Sequence, residues 1–310
     1  MRKNDRLPTY IDGYDKAGGM YFSFLALLLI LVTVLVSAVI TGMTGGGDRM
    51  NELTQTDGYR IFSFFVTPTA ILLLSFLFTK LVGPCDVRAF CKMPDKRSWL
   101  SAALIFFGMF FGLSSLNSLF ISFLGKTTGY RYTEIAFPSL TPANYILTVL
   151  GVCLLPAIAE EIAFRGIIAK GLTFLPTWEA CLAGGVLFSL FHMNPAQTPY
   201  QLCVGALFTF LALKSGSPVS SAAVHFLNNF FIVTFEFFAP GALDFVLPVK
   251  IVLAVLGIGA IVLGVFLSAR RERERTEGSR LAFFWRAFVG IAICVVMWIA
   301  QLVVSRGVTA

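Results

Sequence analysis

The chain has 310 residues, of which 57% are hydrophobic and only 13% charged, against about a quarter charged in a soluble domain; an ordinary soluble fold is excluded. Several apolar runs exceed about 20 residues, enough to cross a hydrocarbon core about 30 Å thick, and lipid offers no partner for unpaired backbone groups, so these spans must be helical. The net charge of +7 does not point to nucleic acid, because the basic residues cluster in short segments between apolar runs, where they orient helices.

The first 17 residues are polar. Nine spans then follow in the pattern, near 18–43, 59–83, 99–124, 144–172, 178–194, 199–214, 217–239, 245–269 and 281–305. The first is too long for the apolar core of a signal peptide and is expected to be retained. The shortest are 178–194 and 199–214. Gly83-Pro84, Pro138 to Pro142 and Pro176 separate neighbours. The fold class expected is all-α, a polytopic transmembrane bundle of about eight or nine spans. Residues 1–143 would form a tail and three flanking helices, 144–239 a core, and 240–310 the C-terminal helices.

The loops alternate in charge. Arg2, Lys3, Arg6 and Lys16 precede the first span. Lys80, Arg88, Lys92, Lys96 and Arg97 lie in the second loop, and Arg270, Arg271, Arg273, Arg275 and Arg280 in the eighth. Basic loops stay cytoplasmic, so the expected topology places the N-terminus inside and the C-terminus outside, in the plasma membrane of a prokaryote. Cys153, Cys181, Cys203 and Cys294 lie in apolar runs and read as small core residues. Cys85 and Cys91 match no common zinc spacing.

Charges inside a bilayer cost at least about 2.5 kcal/mol each on insertion scales and so call for a partner or a function. The fourth span nevertheless holds Glu160, Glu161 and Arg165, the fifth ends near His192, and the seventh holds His225, Asn228 and Asn229. These are the only two histidines in the chain. Glu161 and Arg165 are four apart and can pair on one helix face, whereas Glu160 is rotated by about 100° and stays outside that pair. Phe188 and His192, and His225 and Asn229, share faces by the same spacing. Counted from the turns near residues 175 and 216 at about 1.5 Å per residue, Glu160 and His192 lie about 20–25 Å deep and His225 about 14 Å. Three helices can therefore converge on one site in the middle to inner membrane, expected to open toward the cytoplasm or laterally to the inner leaflet. A carboxylate and a histidine can activate water there, and a histidine and an amide can stabilise an oxyanion. The same glutamate and two histidines would also serve as a zinc set with one open position.

Glu160-Glu161-x-x-x-Arg165, Phe188-x-x-x-His192 and His225-x-x-x-Asn229, in that order on apolar helices, resemble the three signature motifs of the CPBP (CAAX prenyl protease and bacteriocin-processing, or Abi) family of intramembrane endopeptidases. The resemblance covers about residues 145–235, and the stretch from Gly205 to Gly216 shares it. It implies a glutamate-dependent hydrolase in which Glu160 and His192 activate water and His225 and Asn229 form the oxyanion hole. Glu161 and Arg165 would hold the helix and Phe188 would pack beside the site. The family is described as metalloprotease-like. Whether zinc, held by Glu160, His192 and His225, takes part is left open. The expected partners are membrane lipid and a hydrophobic or lipid-modified peptide or protein.

Other readings fit less well. Gly45-Gly46-Gly47-Asp48 and Tyr14-Asp15 match an aspartyl intramembrane protease pattern only formally, since both lie in polar segments outside the spans. Taken singly, each polar residue reads as interhelical hydrogen bonding, which is the reading for Asn117 and Asn228. A transporter with a buried ion site would want inverted repeats, and none is visible. A catalytically silent membrane scaffold or immunity protein on the same fold is the remaining alternative.

Overall fold

The computed structural model describes residues 13–82, 92–132, 135–269, 273 and 275–306. The loop residues Arg2, Lys3, Arg6, Arg88, Arg270 and Arg271, the Gly83-Pro84 break, and Cys85 and Cys91 fall outside this set. The described residues form helices α1 (Tyr14–Thr44), α2 (Gly47–Gln55), α3 (Asp57–Leu81), α4 (Lys96–Thr128), α5 (Pro142–Gly171), α6 (Thr177–Phe191), α7 (Thr198–Ser215), α8 (Val219–Phe238), α9 (Leu247–Ala269) and α10 (Arg280–Val304). Four of the long helices begin on side-chain caps from Thr56, Asp95, Thr141 and Ser279, which satisfy backbone N–H groups that the first turn leaves unpaired. No strand occurs among the described residues.

The polytopic all-α architecture is thus as expected. Helices occupy all nine expected positions, with α2 added as a short polar helix between the first two. Seven of them, all but α2, α6 and α7, are long and apolar enough to cross a membrane. The difference from nine lies in α6, only 15 residues long, and in α7, which carries Gln201, Thr209 and Lys214.

The bundle has two distinct ends. At one, Asp15 accepts a hydrogen bond from the backbone N–H of Ser279 at 2.9 Å, Thr173 meets Thr276, Arg273 donates to the Leu175 carbonyl, and Lys214 donates to the Ala269 carbonyl at 2.8 Å. At the other, Arg60 donates to the Phe137 carbonyl at 2.9 Å, Asp57 binds Ser139, and Arg131 N–H donates to the Ser305 carbonyl at 2.8 Å. The termini of the helical bundle therefore lie at opposite ends, and crossing by seven or by nine helices gives the same result.

Helix pairing relies on close backbone approach. Lipid is as apolar as leucine, so dispersion at short range and not hydrophobicity holds spans together. α4 and α9 meet where a Cβ built on Gly257 would stand 2.5 Å from Gly112 Cα, and Ser101 Oγ donates to the Gly264 carbonyl at 2.6 Å. α1 packs along α10 and α6 along α7. The main core draws Phe22, Ile71, Met109, Phe164, Phe188, Phe208 and Phe283 from seven helices into one cluster. Three π-helical turns, Gly108–Leu113 in α4 and Val149–Leu154 and Ile162–Ile168 in α5, interrupt the α-helical register. Two of them flank the Glu160-Glu161 pair.

Candidate active site

α5 presents Glu160 and Glu161 on adjacent faces, and the two carboxylates meet different surroundings. Glu161 is fully buried. Its Oε1 lies 3.0 Å from Arg165 Nη1, and its Oε2 accepts a 2.5 Å hydrogen bond from Ser221 on α8. The pairing expected from the four-residue spacing is present. A neighbour across the helix interface accompanies it: Glu161 Oε1 is also 3.5 Å from His225 Nδ1. Glu161 therefore faces the histidine as well as the arginine.

Arg165 is buried among rings. Its guanidinium sits 4.6 Å from the centroid of Phe188 and 5.1 Å from that of Phe208, and Nη2 donates to the Gly205 carbonyl at 3.2 Å. Gly205 is required at this point. A Cβ there would stand 2.6 Å from Phe188 Cβ, so any larger residue would push α7 off α6 and take the carbonyl away from Arg165.

Glu160 stays out of that pair. Its Oε2 is buried, makes no hydrogen bond to protein, and lies 4.0 Å from His225 Nε2. Both ring nitrogens of His225 thus face carboxylates, while the ring rests 5.5 Å from Phe208. His192 follows the last turn of α6. Its Nδ1 is 2.8 Å from the Phe188 carbonyl, and because a carbonyl only accepts, Nδ1 carries the proton and Nε2 is the bare nitrogen of the neutral ring. Phe188 packs edge-on against His192 at 4.7 Å and reaches His225 at 6.5 Å. His192 is within electrostatic reach of Glu160, His225 and Arg165.

Asn229 lies one turn beyond His225 on α8. Its Nδ2 donates to the Val152 carbonyl of α5 at 3.1 Å. That carbonyl is available because Pro156, four residues on, has no N–H to return to it. The structure thus gathers Glu160, Glu161, Arg165, Phe188, His192 and His225 into one contact network and sets Asn229 one turn away, anchored to the same helix as the glutamates.

Among the described residues no three His, Cys, Asp or Glu side chains converge as a metal-ligand set. The arrangement does not fit a zinc ion held by Glu160, His192 and His225.

Residues 142–231 match the family model described as type II CAAX prenyl endopeptidase Rce1-like. This segment is similar to an Rce1-like domain. It runs from the start of α5 into α8 and contains all seven residues singled out by the motifs. No curated protein and no solved structure matches the chain. The match supports an intramembrane CAAX-type endopeptidase in general, carried in an integral, multi-pass membrane protein.

Within the matched segment, sequence reading missed Ser221 and Phe208 and left Gly205 without a role. Ser221 had a usable signal: Ser221, His225 and Asn229 form a stripe at four-residue spacing on one face of α8. Phe208 and Gly205 lie in the stretch that shares the resemblance, but nothing in the sequence named their contacts, because their partners lie on other helices.

Proposed function

We propose that this protein is an intramembrane endopeptidase that hydrolyses a peptide bond in a hydrophobic or lipid-modified, membrane-associated peptide by glutamate- and histidine-activated water. The observation that carries the reading is the buried Glu160 Oε2, which has no protein hydrogen bond and stands 4.0 Å from His225 Nε2. An uncompensated carboxylate in such a place is costly, and a water held between carboxylate and imidazole offsets that cost.

In the proposed reaction Glu160, aided by the bare Nε2 of His192, takes a proton from water. The hydroxide oxygen bonds to the peptide carbonyl carbon. The oxyanion is met by His225 and by the second N–H of Asn229. Collapse breaks the C–N bond, and the proton on Glu160 passes to the leaving nitrogen, restoring the carboxylate. Glu161, Arg165 and Ser221 hold α5 and α8 in register, and Phe188 walls the site. Residues 144–239 carry the chemistry, and the flanking helices frame them. The basic end of the bundle is taken to be cytoplasmic, in a prokaryotic plasma membrane, with the site opening toward that side.

The test uses a fluorogenic peptide with a farnesylated cysteine motif, in liposomes. Glu160→Gln keeps the size of the side chain and removes its basicity. It is expected to lower kcat by about 10²–10⁴-fold with an unchanged or raised melting temperature. Asn229→Ala is expected to cost about 10²–10³-fold. A folded and fully active Glu160→Gln protein would end the glutamate mechanism.

A further inference from the structure

The mechanism above leaves one buried polar chain unused. Tyr200, near the start of α7, donates from its hydroxyl to Asn228 Oδ1 at 2.8 Å. Asn228, itself buried, donates from Nδ2 to Asn229 Oδ1 at 3.3 Å. Asn229 Nδ2 then donates to the Val152 carbonyl at 3.1 Å. Three helices, α7, α8 and α5, are therefore linked by one directional row of donors and acceptors that runs through the proposed oxyanion donor.

The direction matters more than the bonds themselves. A carboxamide has one face that accepts and one that donates two hydrogens. The Val152 carbonyl only accepts, so the Asn229 nitrogen faces α5 and its Oδ1 faces Asn228; the Asn228 nitrogen points at that oxygen, and its own Oδ1 accepts from the Tyr200 hydroxyl, which completes the row. One N–H is taken by the Val152 carbonyl, and the other is left for a ligand. If Asn229 turned over, its oxygen would face the Val152 carbonyl and its nitrogen would face the nitrogen of Asn228, a like-against-like clash at both ends. From this geometry we infer that Tyr200 and Asn228 are positioning residues that hold the Asn229 amide in its donating orientation toward the oxyanion of the hydrolytic reaction. The inference rests on the peptidase reading and adds to it the two residues that fix the polarity of the oxyanion hole.

Tyr200→Phe removes the first donor and keeps the ring. Asn228→Asp keeps an acceptor for Tyr200 but turns an acceptor toward Asn229 Oδ1. An oxyanion exists only in the transition state, so misorienting its donor lowers kcat and leaves KM in place. With the farnesylated fluorogenic peptide in liposomes, each variant is expected to lose kcat by about tenfold, a fraction of the about 10²–10³-fold of removing an oxyanion donor outright, with KM within twofold. In an Asn229→Ala background the further loss from Tyr200→Phe is expected to vanish, because the group being oriented is gone. A purely structural tyrosine would instead lower kcat by the same factor in both backgrounds, and that result overturns the inference. So does a Tyr200→Phe and Asn228→Asp pair that melts like the wild type and retains its kcat. These failures stand apart from failure of the peptidase reading, whose sign is wild-type activity in Glu160→Gln. A wild-type protein without peptidase activity would overturn both.

Discussion

Glu160 and Glu161 are neighbours in sequence, yet one has its charge compensated and the other has not. Glu161 shares its two oxygens among Arg165, Ser221 and His225. Glu161→Ala is therefore expected to leave a buried guanidinium without its counter-charge and to destabilise the protein by about 3–5 kcal/mol, read as a fall in melting temperature in detergent micelles. The four-residue spacing alone would predict that reversing the pair, Glu161→Arg with Arg165→Glu, restores stability. The structure predicts that it does not, because each end has a partner of fixed polarity: the Ser221 hydroxyl donates at one end and the Gly205 carbonyl accepts at the other. A reversed protein that melts like the wild type would disprove this. The comparison marks what was legible at this scale. Contacts within one helix follow from 3.6-residue periodicity, so Glu161–Arg165 and Phe188–His192 could be read directly. Contacts between helices depend on how each helix is rotated, so the approach of Glu161 to His225 could not. The bond from Asn229 to Val152 falls between these cases, since Pro156 announces an unpaired carbonyl four residues earlier without naming its donor.

At the scale of helices, the existence and order of the spans were legible because runs of lipid-soluble residues broken by Gly, Pro and charge leave few alternatives. The π-helical turns were not. An extra residue in one turn changes no composition, yet Ile162–Ile168 re-aims the part of α5 that carries Arg165. Nor did the pattern show which glycines are contacts. Gly257 lies where α9 touches α4 backbone to backbone. Gly257→Leu is expected to force the two helices apart and to lower the melting temperature by several degrees, whereas Gly259→Leu, at a position with nothing within 4 Å of an added Cβ, is expected to be silent. Equal melting temperatures for the two variants would show that this crossing does not hold the bundle.

For the molecule as a whole, the two ends identified by their cross-helix contacts separate Arg275 from Lys126. If the basic end faces the cytoplasm, a cysteine replacing Arg275 is labelled by a membrane-impermeant maleimide only after the cells are opened, and one replacing Lys126 is labelled in intact cells. The reverse pattern would invert the protein in its membrane and move the mouth of the site to the other side. Charge alternation is the basis of this expected orientation, which depends on counting lysines and arginines in loops and on no side-chain packing.

The shortness of α6 has a consequence for the bilayer itself. Its 15 residues reach about 22 Å at 1.5 Å per residue, against a hydrocarbon layer of about 30 Å. Lipids beside α6 must shorten, tilt or give way to headgroups and water, at a cost of fractions of a kcal/mol per Å of mismatch. His192 stands at the end of this short helix, so if α6 crosses the bilayer, local thinning would bring water toward His192, and the proposed hydrolysis would be coupled to membrane thickness. Reconstituted in phosphatidylcholines of graded acyl length, the protein is expected to turn over fastest in short-chain bilayers and to slow progressively as the chains lengthen, at constant peptide density per lipid area. A rate independent of chain length would mean that water reaches the site by another route.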